Sequence, residues 1–210
     1  MTRRDEQRAA TARRIVEAAV ECLVAKGFAA TSTVEVQNRA GVSRGALLHH
    51  FPTREQLFAA AVHRLVELNL EAMREELAGA PPGLDPVARG IWVMRRASTR
   101  PTFGTELELW GASRADPNLH AALRVAEQAV RKDLYQMIDE IFGTEISQAA
   151  NYQVLVELSV QLVRGLSITS LLYRGDPGRE PLIEEWTRVA RLLLAQEPMS
   201  DQPERPRSAS

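Results

Sequence analysis

Residues 31–56 read TSTVEVQNRAGVSRGALLHHFPTREQ, and the punctuation in this stretch leaves the chain few conformational choices. Ser32, Ser43 and Thr53 are three helix-start residues in quick succession. Ser32-x-x-Glu35 and Thr53-x-x-Gln56 fit the capping box. In it the hydroxyl accepts from an orphan N–H of the first turn while the third residue reaches back. Gly41 can take positive φ at little cost, and Pro52 pushes Phe51 out of helical dihedrals. The spacing predicts a helix ending near Ala40, a tight turn through Ala40-Gly41-Val42, and a short helix over Arg44–His50. A long helix should follow, from Arg54 to about Leu77.

The rest of the chain extends this pattern. Alternating β-branched runs are nearly absent, and apolar residues recur at helical spacing, which predicts an all-α fold. A first helix is expected from about Glu6 to Lys26, with Ala12, Ile15, Ala19, Cys22 and Leu23 as its apolar stripe and residues 1–7 as a frayed arm. Gly27 is its left-handed stop. Gly79-Ala80-Pro81-Pro82-Gly83 is the clearest break. Asp85-Pro86 and Asp116-Pro117 each combine a cap with proline at the first helical position. They open helices that end near Arg100-Pro101 and Phe142, and a sixth helix takes about Phe103 to Ala115 between them. The eighth, about Ser147 to Tyr173, is apolar on more than one face, so it is deeply buried or shared between two cores. A turn at residues 175–178 leads to a ninth, about Pro181 to Ala195. The tail from Pro198, rich in Pro, Ser and charge, is expected to be disordered. The chain thus divides into a three-helix head (1–53), a helical body (54–197) and a tail (198–210).

Composition narrows the function classes. No apolar run approaches the roughly 18 residues of a membrane span. The charged N-terminus is not a secretory signal. Cys22 is the lone cysteine of 210 residues, which rules out an intramolecular disulfide and fits a reducing cytoplasm. Residues 1–64 carry a net charge of +4 and residues 65–210 one of −5. A basic head on an acidic body concentrates attraction for phosphate at one end.

The second short helix has the parts of a major-groove reader. Arg44 can donate twice to guanine O6 and N7, and a methyl such as that of Ala46 can touch thymine. Gly45 and Ala46 are small enough for close approach, and His49 lies on their side of the helix. Leu47 and Phe51 should face inward. The helix N-termini at Thr33 and at Thr53-Arg54 offer N–H groups to phosphate. Bland readings compete: Ser43 and Thr53 as caps only, Arg44 as a solvated charge, Cys22 as core. His49 and His50 diverge on a helix and have no His or Cys at ligand spacing, so no metal site is expected. No Glu-x-x-His pair, nucleophilic set or phosphate-cradling glycine loop occurs, so neither enzyme activity nor a cofactor is expected. The alternative is a helical bundle in which the head is only a fold element and the body an enzyme or interaction module.

The run Thr33-x-x-Val36-x-x-x-Ala40-Gly41-Val42-Ser43-x-Gly45-x-Leu47-x-x-His50-Phe51-x-x-Arg54-x-x-Leu57 closely resembles the signature of the TetR family of bacterial transcriptional regulators. Glu106-Leu107-Glu108-Leu109-Trp110, followed by Asp116-Pro117-Asn118-Leu119, is similar to a pattern common in the family's C-terminal domains. The resemblance implies a nine-helix plan. It implies phosphate contacts at Thr33, Ser43, His50, Thr53 and Arg54, and base contacts around Val42, Arg44, Gly45 and His49. It further implies a homodimer built on the last two helices, a palindromic DNA operator, and a small-molecule effector in the body whose binding releases a repressor. Candidate lining residues are Trp92, Met94, Phe103, Leu107, Trp110, Met137, Tyr152, Leu158 and Leu162. Their lean toward Met, Trp and Leu suggests a mainly apolar ligand. Arg95, Glu106, Arg114, Asn151 and Gln161 are candidates for its polar contacts. Leu48 stands where the family usually has Tyr, Gln37 where a small Ala is usual, and Ala46 where Thr or Asn is common.

Overall fold

The computed structural model describes residues 2–170, 173 and 179–196. Among them the chain forms ten helices and no strand. The head comprises α1 (Arg3–Lys26), α2 (Thr33–Ala40) and α3 (Arg44–His50). The body comprises α4 (Arg54–Ala78), α5 (Pro86–Ala97), α6 (Pro101–Ser113), α7 (Pro117–Phe142), α8 (Thr144–Ser147), α9 (Tyr152–Ser170) and α10 (Arg179–Ala195). The expected turn at 175–178 and the tail from Pro198 lie outside the described residues.

Several helix ends differ from the sequence reading. Helix α1 starts at Arg3, because Thr2 and Asp5 form a complete capping box. The pairs at Ser32 and Thr53 are half boxes. Each hydroxyl accepts from the N–H three residues on, at 3.2 Å, but the Glu35 carboxylate pairs with Lys26 instead. Asp85 and Asp116 cap as expected, each accepting two N–H groups. The expected eighth helix starts later, and an extra turn of helix precedes it. Gly143, at φ 84°, stops α7, the single turn of α8 follows, and α9 begins only at Tyr152. Asn151 is occupied in this break, donating to the carbonyls of Leu193 (2.9 Å) and Gln196 (3.2 Å) at the end of α10. It therefore satisfies orphan carbonyls of that helix. The ninefold count becomes ten for this reason.

Two hydrophobic cores lie along α4, which at about 1.5 Å per residue spans roughly 37 Å. The first joins Ile15, Leu23, Val36 and Leu47 of the head with Leu57, Phe58 and Leu65 of α4, and also with Leu109 of α6 and Leu119 of α7. The second packs Met73, Ile91, Ile138, Phe142, Leu155 and Ala190. Gly90 lets α5 press against α7, since a Cβ there would sit 2.4 Å from the Phe142 ring. Helices α4, α6 and α7 run through both regions, so they tie the head to the body.

Candidate functional site

The head's exposed surface is set by how firmly its inner face is held. Helix α2 is fixed to α1 by the Lys26–Glu35 pair and by Arg39–Glu21 at 3.1 Å. Gly41 adopts the left-handed conformation (φ 62°, ψ 40°), and Val42 N–H donates to the Gln37 carbonyl, which closes the turn. Ser43 caps α3 through Ala46 N–H at 3.2 Å. Leu47 is 3% exposed, and Phe51 packs against the same core. With that side of α3 locked, Arg44, Gly45, Leu48 and His49 face out. Arg44 and His49 make no hydrogen bond or ion pair among the described residues. Gly45 is not required by the fold: its φ is ordinary and an added Cβ would meet nothing within 4 Å. His50 is half-buried, and burial first, then His49 and Arg8, hold its imidazole below the usual value.

The structure brings Thr33, Val42, Ser43, Arg44, Gly45, Ala46, His49, His50 and Thr53 into this one region, each fully or partly exposed. Arg54 is committed differently. Its guanidinium carbon lies 4.8 Å from the centroids of both Phe28 and Phe58, and Nη2 donates to the Thr31 carbonyl at 3.3 Å. It clamps the α1–α2 loop onto α4. A group that sequence reasoning missed is the start of α1: Arg4, Arg8 and Thr11 line a groove shared with His49 and His50. The signal was present, since Thr2-x-x-Asp5 marks a helix start and Arg4 and Arg8 are one turn apart.

The body contains a partly open cavity of about 60 Å³ between α4, α5, α6, α7 and α9. Of the expected residues, Met94 and Phe103 line it, while Trp110 and Leu158 line an adjoining groove of about 630 Å³. Trp92, Leu107, Met137, Tyr152 and Leu162 line neither. Trp92 carries the Arg96 guanidinium 5.8 Å from its ring, Met137 is 2% exposed, and the Tyr152 hydroxyl donates to Asp139 at 2.7 Å. Burial and Asp139 raise the Tyr152 pKa. The polar groups of the cavity are Asn69, Ser98, Glu106, Glu127 and Arg164, of which only Glu106 stood among the sequence candidates. Glu106 Oε2 accepts from Asn69 Nδ2 at 2.7 Å, and Glu127 accepts from Trp110 Nε1 at 2.9 Å. Two residues beyond Glu106 on α6, Glu108 Oε1 accepts from Phe28 N–H at 2.7 Å. A Cβ on Gly27, at φ 77°, would lie 2.8 Å from that same oxygen. One helix therefore touches the cavity and the head within a single turn.

A capped helix–turn–helix with an unobstructed second helix, set on an all-helical body, defines a DNA-binding regulator of transcription. Comparison gives the family. Residues 15–61 match the family model described as "Bacterial regulatory proteins, tetR family". The HTH-type transcriptional regulator CymR of Pseudomonas putida is 28% identical over 181 residues, covering 85% of this chain and 88% of that protein. A TetR transcriptional regulator from Rhodococcus sp. RHA1 superposes with TM-score 0.56 at 24% identity, covering 93% of this chain and 100% of the other. The multidrug binding protein EbrR complexed with ethidium superposes with TM-score 0.57 at 23% identity, over 87% of this chain and 98% of the other. The head thus carries the DNA-binding domain of the TetR family of bacterial transcriptional regulators, and the chain resembles regulators of this kind along most of its length. Among the described residues no helix is long and apolar enough to cross a membrane.

Proposed function

We propose that the chain is a cytoplasmic, homodimeric repressor that binds a palindromic operator through α3 and releases it when a small, mainly apolar ligand enters the body. The observation that carries the reading is α3. Its inner side is locked by Leu47 and Phe51, while Arg44, Gly45 and His49 stand outward and unencumbered. Phosphate grips at Thr33, Ser43, His50 and Thr53 would position the head, and Arg44 would read sequence.

The dimer reading rests on apolar residues left exposed on α9 and α10. Val154, Leu158 and Ile168 are 41%, 48% and 54% exposed and follow one stripe of α9. Leu182, Val189 and Leu192 do the same on α10. Stripes of this kind on two neighbouring helices suit a two-fold four-helix contact. Leu158→Asp should produce a folded monomer in sedimentation and lower operator affinity by more than about 100-fold, because one head loses the linkage to the other. A variant that stays dimeric would remove Leu158 from the interface.

Ligand response is supported by the cavity, by α6, and by the neighbour EbrR, which is described with bound ethidium. A ligand shifts the equilibrium only if it binds the DNA-free arrangement more tightly. Glu106 at the cavity and Glu108 at Phe28 give α6 contacts with both the cavity and the head. The decisive test is selection of DNA fragments by the purified protein. Enrichment of a two-fold symmetric site is expected; no preference over random DNA at moderate salt would sink the regulator reading.

A further inference from the structure

The cavity is apolar but short of positive charge. Glu106 is 5% exposed, among Leu70, Met94, Phe103 and Val163. Asn69 is oriented toward it, because Asn69 Oδ1 already accepts from Thr102 Oγ1 at 2.6 Å, which leaves Nδ2 to donate to Glu106 Oε2. Glu106 Oε1 accepts no hydrogen bond from any described residue. Glu127 adds a second carboxylate to the same lining. Arg164, the guanidinium of that lining, lies 4.5 Å from the Trp110 ring centroid and forms an ion pair with neither carboxylate. A buried anion without a hydrogen-bonded cation is costly, and Glu106 Oε1 stays open to a donor entering the cavity.

We propose that the cavity's ligand is a compact organic cation, an apolar body carrying a protonated amine or amidine, whose N–H groups donate to Glu106 Oε1 beside Glu127. The inference rests on the cavity's being the effector site and adds the ligand's charge. An anion would bring a third negative charge to a lining with one guanidinium. A neutral molecule would give Glu106 Oε1 at most an uncharged donor, a weaker partner than a cation. At about 60 Å³ the cavity holds only a few atoms, so Met73, Met94 and Phe103 must give way, as flexible side chains can.

The proposal has a pH signature. Burial pushes the Glu106 pKa up to about 7, Glu127 pushes the same way, and Arg164 and Asn69 oppose. The groups facing it are Asn69 of α4, Thr102 of α6, Glu127 of α7 and Arg164 of α9. Near neutral pH the ligand-free carboxyl is thus partly protonated, and an arriving cation ionises it and expels the proton to solvent. Affinity must rise with pH, by roughly tenfold from pH 6 to pH 8 for a pKa near 7 that falls on binding.

Benzylamine, benzyl alcohol and benzoate form a near-isosteric series of cation, neutral and anion, and benzylamine stays protonated across this range. Calorimetric titration of the full chain at pH 6, 7 and 8, in buffers of different ionisation enthalpy, measures affinity and proton release together. Benzylamine should bind at least tenfold more tightly than the alcohol, benzoate should not bind, and binding should release a proton. Glu106→Gln should remove the preference and flatten the pH profile. Equal binding of the alcohol or benzoate, pH-independent binding of benzylamine, or no binding at millimolar benzylamine would each overturn the proposal. Should Glu106→Gln not fold, the wild-type profile decides alone. DNA selection is independent of all three probes, so failure here leaves the regulator reading standing or falling on its own test.

Discussion

The head and the body store their functional groups in opposite ways. In the head, Arg44 and His49 stand in water on a helix whose other side is held by Leu47 and Phe51. Holding them ready costs the fold little, because a solvated charge pays no desolvation. In the body, Glu106 is sealed among apolar side chains, with one oxygen hydrogen-bonded to Asn69. Holding that carboxylate works against folding. The head can therefore keep Arg44 and His49 outward at little cost to stability, whereas an ionised Glu106 in the body opposes folding.

The largest expected effect tests the body. The Glu106 pKa is raised above its ordinary 4.5 to about 7, with burial as the first cause. A carboxyl raised on folding contributes stability in full below about pH 4.5 and loses it as pH rises through about 7. Ligand-free protein should therefore be about 3 kcal/mol less stable at pH 9 than at pH 4.5 through this group. Glu106→Gln, which keeps the shape and an acceptor for Asn69, should lack that component. Urea unfolding of both proteins across the range provides the check. Parallel profiles would mean that Glu106 is not the group that makes the body costly.

Two arginines of the head then divide the surface from its support. Arg44→Ala should lower affinity for a selected site by about 1–3 kcal/mol while leaving random DNA and thermal stability nearly unchanged. Arg54→Ala should instead cost about 1–2 kcal/mol of folding stability, since its guanidinium lies over both the Phe28 and Phe58 rings. Any loss of DNA binding there should be even across sequences. Fluorescence anisotropy on specific and random duplexes, paired with melting curves, separates the two. Were Arg44→Ala to lose binding evenly, its assignment to base edges would fail.

The same contrast explains what could be read along the chain. The head's site lies within one continuous stretch, where caps, Gly41 and Pro52 act on their neighbours. Local chemistry therefore sets its register. The body's cavity draws Asn69, Glu106, Glu127 and Arg164 from four helices. No local pattern marks them as neighbours, and apolar richness pointed as readily to core residues such as Met137. Helix continuity misled for a related reason. The apolar run from Leu155 to Ile168 looked like the middle of one helix beginning near Ser147, but Asn151 is used to cap α10, so the chain turns there. Arg4 and Arg8 were passed over because an N-terminal arm was expected to fray, whereas Thr2 and Asp5 satisfy the first turn of α1.

The smallest effect is also the cleanest separation of folding from binding. Gly45 lies inside α3, where glycine costs roughly 0.5–1 kcal/mol relative to alanine. Neither its dihedrals nor its surroundings call for glycine, since an added Cβ would meet nothing within 4 Å. Gly45→Ala should therefore stabilise the free protein by up to about 1 kcal/mol. If α3 enters the major groove as proposed, the new methyl lies where the helix approaches the bases, and affinity for the selected site should fall. Stability gained with affinity lost is the pattern of a residue kept for its ligand and not for its fold. If stability rises and affinity holds, the base edges lie on the Arg44 side of α3 and Gly45 stands clear of them. If stability falls, α3 is held by contacts beyond Leu47 and Phe51, and the head is less separable from its support than the body is from its cavity.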